Sequence, residues 1–302
     1  MFKSKNSMSR ALVRRETTAG YLFLLPSLFF FVTFVLYPMF LCIYTSFFDS
    51  NMGKNAVDVF VGLGNYKELF QDKLFLGALK NTVVIVVVAV PTVCAFSLWV
   101  ATAIYDMKPA LTSAFRCIFY LPVVTGSVAV TVVWKWMYNS RYGVFNYLFK
   151  NLGIIDQNIN WLGDARFALW CIILILFTTS VGQPIVLYVS ALGNVDHSLV
   201  EAAQVDGANR RQVFWKIKWA QIMPTTLYIL IITTINSFQC FALIQLLTSG
   251  GPTHSTDTIM YYIYYTAFKL YRYGYGNAMG VVLMVIIAVL SAVQFKLGQQ
   301  SD

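Results

Sequence analysis

No set of side chains in this sequence repeats the spacing of a known catalytic centre. The GxxxxGK[ST] loop that cradles nucleotide phosphates is absent, so the chain has no such route to ATP hydrolysis. Its two histidines, His197 and His254, fall in different loops and read as solvent-facing residues, not as a zinc site or part of a Ser-His-Asp triad. The five cysteines (Cys42, Cys94, Cys117, Cys171 and Cys240) sit in apolar stretches without close pairing and read as small buried hydrophobes. No catalytic residue and no metal site is expected. What stands out is neutral polarity inside two apolar stretches: Thr178, Thr179, Ser180 and Gln183, then Thr233, Thr234, Asn236, Ser237, Gln239 and Gln245. Such groups suit an uncharged polyhydroxy solute. Alternatively they bond one another between helices, at about 0.6 kcal/mol per contact. Their concentration on two stretches raises the idea of a corridor.

A second group lies in the segment Asn194–Ile217. Ser198 can cap a helix, and Glu201 three residues later completes a capping box. Ala202 and Ala203 give a small, smooth face, and Gly207 can adopt the left-handed turn that stops a helix. A second short helix is predicted from Ala208, with an apolar stripe at Val213, Phe214 and Ile217. The result is a helix–turn–helix with one face free to dock a partner. A helix lying flat in a lipid interface is the plainer alternative.

The elements that position these groups follow from charge. Of the 302 residues, 58% are hydrophobic and only 12% charged, against about 25% charged in soluble domains. Windows without Asp, Glu, Lys or Arg run 17–48, 81–105, 117–134, 167–195, 219–256 and 273–295. A helix needs about 20 apolar residues to cross a hydrocarbon core of about 30 Å, so six spans are predicted. No acidic residue lies inside any of them, and carriers driven by protons or sodium usually keep ionisable groups at depth. The formal net charge of +9 is explained by the distribution of its basic residues, without nucleic acid. Lys3, Lys5, Arg10, Arg14 and Arg15 precede the first span, Lys108 and Arg116 fall in the second loop, and Arg210, Arg211, Lys216 and Lys218 in the fourth. By the positive-inside rule those loops and both termini are cytoplasmic.

The first span is predicted near Ala19–Phe48, retained and not cleaved as a signal, because the apolar run far exceeds an h-region of about 7–15 residues. Gly62–Asn65 reads as a turn and Tyr66–Phe70 as a short amphipathic helix. The later spans are predicted over Asn81–Tyr105, Phe115–Met137, Phe167–Leu192, from Pro224 onward, and Gly276–Phe295, with an external interfacial helix over Tyr261–Tyr275. Gly276 and Gly280 form a GxxxG packing pattern. Asp49, Asp58, Glu68, Asp72, Asp156, Asp164 and Asp257 dilute the basic residues of the outer segments.

With these residues in place a family resemblance becomes specific. Glu201-Ala-Ala-x-x-x-Gly207, followed by nine residues and Ile217, resembles the EAA signature of ABC-importer permeases. In that family the loop is a coupling helix that fits a groove on the ATPase. The resemblance therefore implies a coupling set of Glu201, Ala202, Ala203, Asp206, Gly207 and Ile217. Gly62–Tyr66, Leu121-Pro122, Trp134-Lys-Trp136, Tyr142-Gly143, Ala242–Pro252 and Ala267-Phe268 are similar to the sugar branch, in particular to the larger subunit of maltose-like importers. Where the family usually has Leu-Pro after the coupling segment, this chain has Trp219-Ala220, so the break there is expected to be less sharp.

The resemblance implies an all-α membrane protein with six transmembrane helices in the type I ABC importer permease fold. It divides into a basic segment at 1–18, a permease domain at 19–296 with a coupling loop at 194–220, and a tail at 297–302. The expected partners are a homologous second permease, ABC ATPase subunits that themselves bind ATP and Mg, an extracytoplasmic solute-binding protein, a sugar and the lipid bilayer of a bacterial inner membrane. This chain itself is expected to hold no cofactor. Likeness to the maltose permease assigns the substrate path to Thr178, Val181, Gly182, Thr233, Ser237 and Cys240. Several of these are asparagine there, which implies a different sugar. The alternative is a self-sufficient channel or secondary carrier for a neutral solute. A membrane enzyme lacks any catalytic constellation.

Overall fold

Each charge-free window supplies a long helix or a bent pair of helices in a computed structural model, which describes residues 3–50 and 58–299. Residues 51–57 of the predicted outer segment, 300–302 of the predicted tail and 1–2 of the basic segment lie outside the described residues. Helix α1 (Lys3–Phe31) passes through a π-turn at Val32–Leu36 into α2 (Tyr37–Thr45), making the first span. A short antiparallel hairpin follows, β1 (Phe48–Asp49) with β2 (Val59–Phe60), in the register Phe48 to Phe60 and Asp49 to Val59. The Asn65 side-chain amide holds it, donating to the carbonyls of Ser46 (2.8 Å) and Phe48 (2.9 Å). Asn65 belongs to α3 (Gly64–Gln71), the predicted amphipathic helix, entered through Gly62 at φ +56°.

Span two is α4 (Lys73–Ile104), whose first turn is capped by the Asp72 carboxylate accepting from Leu74 N–H at 2.8 Å. It starts earlier than the predicted Asn81 because Lys73 and Lys80 extend past the apolar core into the outer segment. The predicted straight third span is instead α5 (Pro109–Val124) and α6 (Ser127–Met137), bent by 95°. Thr125 and Gly126 are extended there, and a charge-free window does not distinguish a straight helix from a broken one. Helix α7 (Val144–Asn151) lies in the following loop. Span four is α8 (Ala168–Ser180) and α9 (Gly182–Gly193), interrupted at Val181, where the predicted loosening run Gly182–Pro184 begins.

The bracket helices are α10 (His197–Val205) and α11 (Arg210–Val213). The fifth span does not begin at Pro224. From α11 a π-turn at Phe214–Lys218 leads without a break into α12 (Trp219–Phe238), with Pro224 inside the helix. Helix α13 (Ala242–Leu247) ends this run. The predicted external helix is shorter than Tyr261–Tyr275: α14 (Ile259–Tyr264) closes in a π-turn at Tyr265–Lys269, and Tyr273 already starts the last span, α15 (Tyr273–Gln299). Among the described residues five helices are long and apolar enough to span a membrane, and the bent pair, taken as one span, brings the count to six.

Packing follows the span order only partly. One cluster joins α4, α9 and α12 through Val93, Ile185, Tyr188, Ile222 and Ile229. A second holds α3, α4, α12, α14 and α15 through Leu69, Phe75, Phe238, Ile259 and Met279. Asp72 ties the second together, accepting from the hydroxyls of Tyr262 (2.7 Å) and Tyr275 (2.9 Å). The GxxxG glycines pack within the chain: a Cβ on Gly276 would meet Ala267 at 3.1 Å, and one on Gly280 would meet Cys42 Sγ at 3.9 Å. Two outer and cysteine assignments change. Asp257 is buried, not a solvated loop charge, and binds Nδ1 of His254 at 2.6 Å. Cys117 is exposed on α5, whereas Cys171 and Cys240 are buried as predicted.

Candidate functional site

The bracket 194–220 is built by local bonds. Asp196, not Ser198, caps α10: its carboxylate accepts the Ser198 N–H at 2.9 Å. That leaves Glu201 beyond the first turn, exposed and outside any capping box. The hydroxyl and N–H of Ser198 hold the Asp196 carboxyl below its ordinary range. At the other end Gly207 takes φ +81°, its N–H reaching the Gln204 carbonyl at 3.1 Å, while Ala208 N–H reaches that of Ala203 at 2.9 Å. These are the two bonds of a Schellman stop. The capping box lies one helix later than predicted. Asn209 Oδ1 accepts from Gln212 N–H (2.9 Å), and Gln212 Oε1 accepts from Asn209 N–H (2.8 Å).

This arrangement leaves Glu201, Ala202, Asp206 and Gly207 exposed, Ala203 and Ile217 half-buried, and Val213 buried. Leu199 and Val205 were not among the predicted site residues, yet they are 51% and 88% exposed. With Ala202 they repeat every three residues, which puts one apolar stripe on the free face of α10. The spacing was present in the sequence. The bracket is anchored at its base, where Asp196 N–H bonds Gln221 Oε1 on α12 at 3.0 Å and Lys218 bonds the Tyr105 hydroxyl. A cavity of about 500 Å³ lies between the bracket and the end of α4, lined in part by Asp106, Gln204, Arg210 and Lys218. Burial raises the Asp106 carboxyl, with Arg210 and His197 opposing.

The neutral polar residues separate into two groups. Thr179, Ser180, Gln183, Thr233 and Asn236 line one cavity of about 150 Å³ between α8, α9 and α12. Thr178 and Thr179 line a neighbouring hollow of about 340 Å³ against α5 and α6. Of the predicted path residues, Thr178 and Thr233 therefore border open space. Val181, Gly182, Ser237 and Cys240 are packed inside the chain. The Val181 carbonyl accepts from Ser97, and a Cβ on Gly182 would overlap the Phe119 carbonyl of α5. The Cys240 carbonyl accepts from the Thr258 hydroxyl at 2.7 Å. Gln183 and Asn236 are exposed polar side chains whose position on the cavity needed the helix faces to be known. A cavity of 150 Å³ is smaller than the roughly 300–1,000 Å³ of a typical small-molecule site. It has the dimensions of a partial wall.

Residues 71–300 match the family described as binding-protein-dependent transport system inner membrane component. A probable ABC transporter permease of Bacillus subtilis, YesP, is 33% identical over 94% of this chain and 91% of its own. The lactose transport system permease LacF of Rhizobium radiobacter is 32% identical, covering 94% and 95%. The multiple sugar-binding transport system permease MsmF of Streptococcus mutans is also 32% identical, covering 94% and 96%. Among solved structures, a chain of a bacterial ABC transporter involved in the import of the acidic polysaccharide alginate superposes with a TM-score of 0.79. It is 24% identical, over 95% of this chain and 96% of that one, and so shares the fold.

Proposed function

The chain belongs to the family of binding-protein-dependent transport system inner membrane components, and on that premise we propose that it is the permease subunit of an ATP-driven importer for a sugar or oligosaccharide. Relatives named for lactose and for multiple sugars support the solute class. An extracytoplasmic binding protein delivers the solute, a homologous permease supplies the other wall of the path, and separate ATPase subunits bind and hydrolyse ATP with Mg. The positive-inside distribution supports cytoplasmic termini and a cytoplasmic bracket in an inner membrane.

The observation that carries this reading is the continuity of the bracket with the path. Leu199, Ala202 and Val205 offer an apolar stripe to a groove on the ATPase, with Glu201 exposed on the same helix and Asp206 exposed at its C-terminal cap. Gly207 turns the chain into α11, and α11 runs through the π-turn into α12 without a loop. Thr233 and Asn236 of that same helix line the polar cavity, roughly 35–40 Å from Arg210 at 1.5 Å per residue. A displacement of the bracket thus reaches the cavity wall as movement of one rigid element. Thr179, Ser180, Gln183, Thr233 and Asn236 supply donors and acceptors to passing hydroxyl groups, and Thr178 continues the line. Gly182, Val181, Ser237 and Cys240 hold the wall by packing.

Disulfide cross-linking tests the docking. Val205→Cys should cross-link to a cysteine in the ATPase groove in native membranes, and ATP should change the yield. Absence of any cross-link from position 205, with the ATPase still bound elsewhere, contradicts the proposed coupling surface.

A further inference from the structure

Arg116 sits two turns into α5, about 10 Å along the helix from Pro109. It borders a hollow of about 490 Å³ whose other walls are Cys117, Tyr120, Gln183, Val186 and Leu187. None of these is acidic. The Arg116 Nε–H is buried and has no hydrogen-bond partner among the described residues. The side chain is half-buried at the wall of the hollow, with its Nε–H enclosed by protein and the rest of the guanidinium without an acidic neighbour in that wall. Buried donors are nearly always satisfied, and a cation beside an apolar hollow at the start of α5, where the second loop passes into the helix, favours an anionic partner.

The hollow is not isolated. Gln183 and Leu187 also line the polar cavity of α8, α9 and α12, and Thr179 joins that cavity to the hollow beside α6. The shared residues place the three side by side along span four; the outer two are mostly apolar, the middle one is the polar one, and Arg116 is the one cation among the described lining residues. A guanidinium presents a planar fork that matches a carboxylate or phosphate with two parallel bonds, and it has no acceptor for a neutral hydroxyl. We infer that Arg116 binds an anionic group carried by the solute, a carboxylate or phosphate on the sugar, as it passes the hollow beside α5. This assignment depends on the row of cavities being the solute path proposed above.

The test uses the whole complex in phosphatidylcholine nanodiscs, without binding protein, titrated with digalacturonate and with its neutral analogue galactobiose. The wild-type complex should bind digalacturonate at least about tenfold more tightly, the strength expected of charge-assisted bonds. Arg116→Gln should abolish that preference and Arg116→Lys should keep part of it, with the ATPase still co-purifying in both. Equal binding of the two sugars, binding of neither, or an undiminished preference in Arg116→Gln overturns the proposal. Phosphatidylglycerol nanodiscs separate the other source of anions. If that lipid abolishes digalacturonate binding, Arg116 serves a lipid headgroup, and the solute assignment fails. Failure of the importer reading itself would look different, as loss of ATP-dependent uptake of every sugar by the wild-type complex.

Discussion

Substitution of Gly207 isolates the turn of the bracket from every other contact. Its φ of +81° is a conformation that L side chains rarely adopt, and a Cβ built on it meets no atom within 4 Å. The cost of a side chain is therefore conformational within this chain, about 1–2 kcal/mol for an ordinary residue. A two-state bracket would lose about 5–30-fold in the population of the closed turn. Valine, branched at Cβ, lies at the upper end, alanine lower, and asparagine tolerates the left-handed region and should be nearly neutral. The measurement is ATPase co-purification and sugar uptake from membranes matched for permease level. The expected order is glycine, then asparagine, alanine and valine. If Gly207→Val supports normal uptake, the turn does not transmit coupling. If asparagine fails as badly as valine, the defect is a clash with the partner and not strain in the turn.

Removing the cap with Asp196→Ala should cost about 0.5–2 kcal/mol, whereas Ser198→Ala should change little; amide exchange over 197–205 distinguishes them, and equal protection in both variants contradicts the assigned cap. Glu201→Lys should leave thermal stability nearly unchanged, because Glu201 is exposed outside the first turn, and should weaken ATPase retention by altering the docking face. Gly182→Leu should lose folded permease, since its side chain would enter the Phe119 carbonyl of α5, while Gln183→Ala and Asn236→Ala should assemble normally and slow uptake. Normal assembly of Gly182→Leu, or full uptake by both alanine variants, refutes the division between packing and path residues. For Asp72, burial would raise the carboxyl, but the bonds from Tyr262, Tyr275, Leu74 and Phe75 outweigh it and the net direction is down. Its contribution is therefore full above the ordinary carboxylate range near about 3.9 and is lost as pH falls through the lowered folded value. Asp72→Asn should flatten that acid limb of a melting-temperature profile, and an unchanged limb would show that Asp72 does not govern it.

Charge absence alone was enough to locate the six spans, because a hydrocarbon core excludes Asp, Glu, Lys and Arg wherever they are unpaired. It carried no information on straightness. The 95° bend at Thr125–Gly126 lets α5 pack chiefly on α9 and α6 on α13, which no single window records. Gly207 was legible because its conformational need is local. The cap was misplaced by two residues, since Asp196 and Ser198 are both good caps and only the backbone decides between them. The path residues were half legible. Polarity drew attention to both spans, but a helix face is needed to put Gln183 and Asn236 on a cavity and Ser237 in the interior. Long-range ties such as Asp72 with Tyr262 and Tyr275 left no local signal.

Dependence on an external ATPase is the central claim, and reconstitution measures it most directly. Proteoliposomes are prepared with this chain alone, with its sister permease, and with the full set of permeases, ATPase and binding protein, and solute accumulation is followed with and without ATP. Accumulation is expected only from the full set and only with ATP. Solute passing the bilayer with this chain alone would identify a channel or carrier and contradict the importer assignment.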